Sequence, residues 1–478
     1  MTTIIAFIII FGILVIVHEF GHYFFAKRSG ILVREFSVGM GPKLLAFRRN
    51  NTTYTLRLLP LGGYVRMAGW QDEDDEIKPG TQLTLETNPT GEVTRINTSD
   101  KVTLQGGIPV QVSHVDLVND LVVEGYENGD ESELKTWHVN HDATIIESDG
   151  TEVVIAPADV QFQNASIGKR IMTNFAGPMN NFILAILAFM VVGFMTGVQQ
   201  LDSNAVQVVA SEPAAKAGLK TNDHITAING KKMKDYNAIL TALSKKQKSV
   251  TLTIAQGKQD KTLTVKPTKD GKIGVMPIVD HSPMAAIKYG FTQTWFMGTR
   301  ILSELKSMVT GGFSLNKLAG PVGIYTMTSQ FASQGFISLV FFLGFLSVNL
   351  GIINLVPIPM LDGGKIVINL IELVRGKPLP REREGVITLI GVGIMVALMV
   401  AVTINDIMRI FKTCGPPHEL IWRVFNETVT YVYSYRKRSA KFGRSQVASN
   451  DVALWVCASG QRRRVCLFAI GTTRLNED

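Results

Sequence analysis

Four long apolar stretches divide the chain into parts suited to a membrane and parts suited to water. They cover residues 3–25, 171–196, 336–358 and 386–411, and each holds few charged positions. About 20 apolar residues, rising about 1.5 Å each in a helix, cross the roughly 30 Å hydrocarbon core of a bilayer. The pattern therefore predicts a polytopic α-helical membrane protein with about four transmembrane helices.

The first apolar stretch has an alternative interpretation as a cleaved signal peptide. Its apolar run is longer than the usual core of such a peptide, no basic residue precedes it, and Lys27 and Arg28 follow it. We therefore expect it to remain in the protein as the first span.

The parts between the spans predict shorter elements. Two runs punctuated by glycine and proline, residues 36–42 and 54–65, indicate short strands. Residues 80–166 alternate Val, Thr and Ile with polar residues, which predicts a small β-rich insert. The stretch 287–309 mixes apolar residues with four charged ones, which predicts an amphipathic helix at the membrane surface rather than a fifth span.

Composition and charge add an orientation to this picture. Of 478 residues, 46% are hydrophobic and only 18% are charged, as expected for a membrane protein with soluble parts. Lys and Arg near the ends of spans accumulate in cytoplasmic loops. Here they are Lys27, Arg28, Arg34, Lys43, Arg48, Arg49, Lys169, Arg170, Lys365, Arg375, Lys377, Arg381 and Arg383. The loops 27–170 and 365–385 are therefore expected in the cytoplasm, and the N-terminus and residues 197–335 outside it.

The most chemically specific pattern is the His-Glu-Phe-Gly-His run at residues 18–22, inside the first span. Two imidazoles four residues apart lie on one face of a helix, where both can bind one Zn²⁺. Glu19 between them can take a proton from a metal-bound water. Ionisable residues at membrane depth are costly and normally face a functional cavity. The alternative is a pair of buried histidines without a metal.

A catalytic zinc needs a third protein ligand and an open position for water. Asp362 is the natural candidate, because it follows the third apolar stretch in a run that should not stay helical. Pro357 and Pro359 cannot continue a regular helix, and the Gly363–Gly364 pair loosens the backbone further. Irregular backbone at membrane depth must line a cavity. The alternative is an interfacial turn whose Asp362 faces water.

Three motifs together resemble the site-2 protease family of intramembrane zinc metalloproteases, which act in regulated intramembrane proteolysis. They are the run 18–22, Leu361-Asp362-Gly363, and residues 174–182 (Asn-Phe-Ala-Gly-Pro-Met-Asn-Asn-Phe). The resemblance covers residues 1 to about 411. It is strongest to bacterial members with one extracytoplasmic PDZ domain, in the Gram-positive branch that includes pheromone-processing enzymes.

The resemblance implies roles for particular residues. His18, His22 and Asp362 would bind Zn²⁺, and Glu19 would be the catalytic base. Asn349, Asn354, Pro357 and Pro359 would help to hold the substrate. Cleavage would fall in or next to a transmembrane segment, with membrane-spanning regulators such as anti-sigma factors, or signal-peptide remnants, as substrates within the lipid bilayer of the cell membrane.

The resemblance also extends to the soluble parts. Residues 210–219 and 223–230 are similar to the PDZ pattern of a small-residue helix and a strand that ends in an Asn-Gly turn. Such a domain either adds an extended peptide to its sheet or filters substrates by size. Residues 27–70 correspond to a membrane-associated β-structure that can pair with an unwound substrate; an amphiphilic hairpin without that role is the alternative.

The predicted organisation is thus as follows: 1–26 first span; 27–70 membrane-associated β region; 71–170 cytoplasmic insert; 171–197 second span; 203–280 PDZ domain; 281–335 amphipathic juxtamembrane segment; 336–364 third span with the Leu-Asp-Gly motif; 365–385 cytoplasmic loop; 386–411 fourth span; 412–478 atypical basic tail.

The tail is compositionally different from the rest. It contains all three cysteines, Cys414, Cys457 and Cys466, and its 11 Lys and Arg against five Asp and Glu supply +6 of the formal charge of +8. The basic character of the chain therefore does not indicate nucleic-acid binding. We interpret the tail as a non-native extension arising from a frameshift, read-through or cloning; a genuine appended module is the alternative.

Two other functions are compatible with the residues alone. Another class of membrane protease with a His-Glu-x-x-His motif takes its third ligand from a downstream glutamate, so that Asp362 would be dispensable for metal binding. A membrane PDZ scaffold or a transporter with a structural metal would have no need of Glu19.

Overall fold

The computed structural model describes residues 2–69, 77–244, 247–256, 259–268, 271–377 and 379–412. The acidic segment 71–76 and the tail from residue 413 lie outside the described residues, so the interpretation of the tail stays a prediction.

The helices of the described residues are α1 Thr2–Arg28, α2 Ile167–Thr196, α3 Pro213–Lys216, α4 Tyr236–Leu243, α5 Pro283–Thr310, α6 Pro321–Gln334, α7 Phe336–Asn354, α8 Asp362–Arg375 and α9 Arg381–Lys412. The strands are β1 Val33–Arg49, β2 Thr52–Met67, β3 Gln82–Thr87, β4 Val93–Asn97, β5 Ile108–Asp116, β6 Val122–Glu127, β7 Leu134–Ile146, β8 Glu152–Val154, β9 Val198–Gln199, β10 Val206–Val208, β11 His224–Ile228, β12 Lys231–Lys232, β13 Val250–Gln256, β14 Gln259–Val265, β15 Val275–Pro277 and β16 Val279–Asp280.

Four of these helices, α1, α2, α7 and α9, are long and apolar enough to cross a membrane, within the part of the chain that the structure describes. The prediction of four spans is therefore confirmed. A helix satisfies all of its backbone hydrogen bonds internally, which is what a hydrocarbon environment requires. The third span ends at Asn354, and the chain is irregular until α8 begins at Asp362, as the two prolines predicted.

The helix α2 is central in the bundle, where it packs against α1, α5, α7 and α8. Phe189 of α2 and Phe342 of α7 are fully buried in the core between the helices. The contact with α1 is unusually close at Gly21, since a Cβ atom there would lie 2.7 Å from the carbonyl carbon of Ala176. Small residues of this kind let membrane helices approach each other.

The helix α5 lies along α2 and α7 instead of standing apart from the bundle. A Cβ atom on Gly290 would lie 2.7 Å from the carbonyl oxygen of Ile186, and Gly298 faces Val348 and Ile352 of α7. Its other side is apolar and open, with Trp295 76% exposed. The charged residues of 287–309 predicted a helix at the membrane surface. The glycines of α5 also allow one side of this helix to pack against α2 and α7.

Strands β1 and β2 form one sheet beside α1, and they are longer than the short strands predicted. Residues 35–38 lie between residues 53–56 and 63–66, and residues 43–49 pair with 52–57. Gly39, Gly41 and Gly62 have φ angles of 88°, 83° and 87°, and the ladder shifts register around them. The glycines therefore bend the strands without ending them.

The strands between β2 and α2 form a separate small barrel. Its sheet has the order β4-β3-β5-β6-β7-β8, and β7 also pairs in parallel with β4, so that five strands close on themselves around an apolar core. This part of the chain is β-rich, as its alternation predicted. It is tied to the β1–β2 sheet by Glu147, whose carboxylate lies 2.6 Å from Arg66 and 3.7 Å from Arg34.

Residues between α2 and α5 form a second soluble part. Strands β12-β11-β13-β14 make a four-stranded sheet, β10 pairs with β15, and the short helices α3 and α4 accompany them. Ile225, Ile239 and Leu252 are fully or almost fully buried in its core.

Two helices near the end of the described chain are fixed by charged groups. Arg170 of α2 and Glu372 of α8 form a buried ion pair with a separation of 2.8 Å, which fixes α8 against α2. Asp406 of α9 is 4% exposed and accepts hydrogen bonds from the backbone N–H groups of Gly320 and Gly323, at 2.8 and 2.9 Å. This second contact joins α9 to the first turn of α6.

Candidate metal centre

Three side chains predicted as metal ligands meet inside the bundle. The Nε2 atoms of His18 and His22 are 3.3 Å apart, and the Oδ2 atom of Asp362 is 3.3 Å from the first and 3.4 Å from the second. The three residues are 9%, 6% and 7% exposed, so the cluster is buried. It is the one group of three or more potential ligands found among the described residues.

The spacing of these atoms fits a zinc ion. Zn²⁺ binds nitrogen and carboxylate oxygen at about 2.0–2.2 Å in tetrahedral geometry, which places ligand atoms about 3.3–3.6 Å from each other. The Oδ2 atom of Asp362 is also buried without a hydrogen-bond donor of good geometry among the described residues. A buried anionic oxygen in that state is costly unless a cation neutralises it. The two imidazoles and the carboxylate therefore fit a Zn²⁺ ion in both spacing and chemistry.

The irregular segment after α7 carries Asp362 to the histidines. Met360 has a left-handed φ of 84°, and Asp362 is the first residue of α8. Gly363 and Gly364 allow the segment to fold over the start of α8, because a Cβ atom on Gly364 would lie 2.7 Å from the carbonyl carbon of Ile358. Any larger residue in this pair would push the loop away and move Asp362 with it.

The far side of both imidazoles rests on α2. His22 places Nδ1 2.8 Å from the carbonyl oxygen of Thr173, and His18 places Nδ1 3.0 Å from the side-chain amide of Asn181. Gly177 lies between these two contacts. Residues 174–182 carry part of the resemblance described above, but no role was predicted for them. A signal was present, because Thr173, Gly177 and Asn181 are spaced by four and share one face of a helix.

We expect Gly177→Ala to lower both zinc content and proteolysis. A Cβ atom at this position would lie 2.7 Å from the Cε1 atoms of His18 and His22, so the rings must move. Displacement of reacting groups by about 1 Å can cost on the order of 10²-fold in rate. Metal analysis and a cleavage assay measure the effect. Gly168→Ala is the control, because the same helix has open space there; equal behaviour of the two variants would contradict the prediction.

Glu19 lies at the edge of the cluster, between the two histidines in sequence. Its carboxylate is partly buried and within electrostatic range of His18, His22 and Asp362. The β1–β2 sheet adjoins it, since a Cβ atom on Gly63 would lie 3.7 Å from the Cγ atom of Glu19. A carboxylate that lies near the three clustered side chains, but is not a member of that group, could accept a proton there.

The four residues implied in substrate binding occupy different places. Asn354 points its Nδ2 to within 3.4 Å of His18 Nε2, so the structure brings it to the centre. Asn349 donates its amide to the Phe345 carbonyl within α7. Pro357 is exposed, and Pro359 packs against Gly391 of α9. Of the four, Asn354 is the one with a described polar contact to a proposed metal ligand.

Other histidines lie at the surface. His114, His138, His141 and His224 are all exposed. His141 contacts Asp159 at 3.1 Å, and this hydrogen bond raises the pKa of its imidazole. They have the character of surface residues, in agreement with the absence of ligand-like spacing in the sequence.

The chain is similar to known proteins of one peptidase family. The sequence model of peptidase family M50 matches residues 6–398. The "Probable protease eep" of Enterococcus faecalis is 52% identical over 422 residues, which covers 86% of this chain and 100% of that protein. Proteins named "Putative zinc metalloprotease" from Streptococcus pyogenes and Streptococcus pneumoniae are 50% and 47% identical, with the same coverage.

Family match, full-length relatives and apolar helices all point to the same class of enzyme. The chain belongs to peptidase family M50, the site-2 proteases, and is a zinc metalloendopeptidase of the membrane.

Proposed function

We propose that this protein hydrolyses peptide bonds in or next to transmembrane segments, with His18, His22 and Asp362 as zinc ligands and Glu19 as catalytic base. The observation that carries the proposal is the triangle of ligand atoms, 3.3–3.4 Å on each side, inside a bundle of apolar helices. Helical rise places His18 roughly 13 Å from Lys27 at the end of α1. The chemistry would thus occur below the membrane surface. Membership of family M50 also sets aside a non-enzymatic scaffold and a transporter.

The residues around the metal ligands divide the chemistry between them. When bound, Zn²⁺ polarises the scissile carbonyl and lowers the pKa of a water molecule towards about 7. Glu19 removes a proton from the attacking water and delivers it to the leaving amine as the C–N bond breaks. The Asn354 amide, close to His18 Nε2, is a donor that can hold the substrate near the ligands.

The β1–β2 sheet offers a partner for an unwound substrate. A transmembrane substrate begins as a helix, and cleavage requires it to become extended, which frees backbone groups that lipid cannot satisfy. Residues 63–66 pair with residues 35–38 on one side and adjoin Glu19 through Gly63. An extended segment that adds to this strand would regain its hydrogen bonds next to the catalytic base.

The positive charges near the span ends define the proposed topology. Lys and Arg near the span ends favour a cytoplasmic position for residues 27–170 and 365–385. The N-terminus and residues 203–280, which we propose as a PDZ domain, would then be extracytoplasmic. The sheet formed by β11 to β14 with α4 against it is compatible with that domain.

We further propose as substrates membrane-spanning regulators such as anti-sigma factors, or signal-peptide remnants.

Cleavage of defined substrates tests this function. The full chain, reconstituted in vesicles, should cut single-span peptides in or beside the span, and mass spectrometry of the products locates the bond. A zinc chelator should abolish cleavage, and one equivalent of zinc should restore it. A panel of spans with and without helix-breaking residues probes the need for unwinding. Cleavage confined to soluble peptides, or cleavage that survives chelation, would contradict the proposal.

A further inference from the structure

A buried amide on α2 faces the imidazole of His18. Asn181 is 0% exposed, and its side-chain amide lies 3.0 Å from the Nδ1 atom of His18. Its position is fixed from the other side by α7: Ser347 donates its hydroxyl to the Asn181 backbone carbonyl at 2.7 Å, and a Cβ atom on Gly351 would lie 3.4 Å from the Asn181 Cβ atom. This amide therefore contacts the histidine from a buried site between two helices.

The chemistry of imidazole determines which atom of the amide must face the ring. A neutral imidazole carries one N–H, so a His18 that binds metal through Nε2 carries its proton on Nδ1. That N–H needs an acceptor, and the amide can supply Oδ1. With Nδ2 facing the ring instead, Oδ1 is buried without a donor. The orientation with Oδ1 towards Nδ1 gives both His18 and Asn181 a hydrogen bond compatible with metal binding.

The second histidine shows the same arrangement with no ambiguity. His22 faces the backbone carbonyl of Thr173 at 2.8 Å, and a carbonyl can only accept a hydrogen bond. In the neutral ring, the proton of His22 is therefore on Nδ1, which leaves Nε2 to bind metal. Thr173 and Asn181 lie two turns apart on the face of α2 that also carries Gly177.

We propose that Asn181 is a positioning residue, whose Oδ1 accepts the Nδ1–H of His18 and so selects the tautomer and ring orientation that present Nε2 to zinc. The inference rests on the proposed ligand role of His18. Partners of this kind behind metal-binding histidines typically contribute about 10–100-fold in metal affinity. Together, Thr173 and Asn181 would make α2 the support of both imidazoles.

Zinc retention in full-length variants tests the assignment. Purified protein in detergent is challenged with a chelator, and the zinc that remains bound is measured by metal analysis. Asn181→Leu removes the acceptor and should weaken zinc binding about 10–100-fold. Asn181→Asp keeps an acceptor in place and should retain zinc as the wild type does. Asn180→Leu is the matched control, because Asn180 donates to the Val17 carbonyl of α1 at 3.0 Å without touching an imidazole.

The outcomes separate this inference from the function on which it rests. Retention of zinc by Asn181→Leu, or equal loss in Asn180→Leu, overturns the positioning role. Equal loss in the leucine and aspartate variants, with thermal stability near that of the wild type, overturns the acceptor role. If the aspartate variant does not fold, ¹⁵N spectra of histidine-labelled, zinc-free wild type show which ring nitrogen of His18 carries the proton. A proton on Nε2 would reject the assignment. Retention of zinc by His18→Ala would instead contradict the proposed ligand set.

Discussion

Replacement of Glu19 by Gln is expected to abolish peptide hydrolysis while the protein stays folded and keeps its zinc. Glutamine has nearly the same shape but cannot accept a proton from water. General acid–base catalysis of this type contributes on the order of 10²–10⁴-fold in rate. The three proposed ligand atoms belong to His18, His22 and Asp362, so the loss of the Glu19 charge should leave them in place.

The measurement compares initial cleavage rates and zinc-to-protein ratios of the variant and the wild type. Glu304→Gln is a control for the acid-to-amide change, because Glu304 lies on α5 and forms an ion pair with Lys317 at 3.3 Å. It should cut substrate at the normal rate. A Glu19→Gln protein that cleaves normally would remove Glu19 from the mechanism, and one that lacks zinc would assign it a role in metal binding.

Replacement of Asp362 by Ala is expected to remove zinc from the purified protein and, with it, all cleavage. The change deletes the one carboxylate of the cluster and leaves two imidazoles. We expect zinc affinity to fall by more than the roughly 10–100-fold typical of a lost hydrogen-bond partner behind a ligand, because here a proposed direct ligand is lost. Metal analysis after dialysis measures it. This variant also separates the present ligand set from one that uses a downstream glutamate.

Asp406→Ala is the matched control for Asp362→Ala. Among the described residues, Asp406 of α9 is also a buried aspartate, and it accepts hydrogen bonds from the N–H groups of Gly320 and Gly323. Its loss should lower thermal stability, since each hydrogen bond to a charged group contributes about 1.5–3 kcal/mol, but zinc should stay bound. Full zinc retention in Asp362→Ala, or zinc loss of the same size in Asp406→Ala, would reject the ligand assignment.

The three proposed metal ligands differ in how far the sequence predicts their meeting. His18 and His22 are neighbours because a helix brings residues four apart onto one face, so their pairing follows from local spacing alone. Asp362 is 340 residues further along the chain than His22. Only the helix-breaking prolines and glycines and the resemblance to known proteases indicated it, and the distances of 3.3 and 3.4 Å come from the packing of α8 on α2.

The β1–β2 sheet and α5 show where local patterns were ambiguous. Glycine and proline mark the end of a strand as readily as a bend within it, and the choice depends on which neighbour completes the ladder. For α5, the charged residues indicated the membrane surface. Gly290 and Gly298 nevertheless let it pack closely on α2 and α7, a contact that hydropathy does not encode.

Local sequence was sufficient for the spans, the histidine pair and the β-rich character of the insert, because apolar length and periodicity act within a few turns or strands. Only the three-dimensional packing decided three features: the triangle of His18, His22 and Asp362 atoms, the register of β1 with β2, and the contacts of both imidazoles with α2. These features arise from contacts between residues far apart in the chain, whose partners are set by how whole helices and sheets fit together.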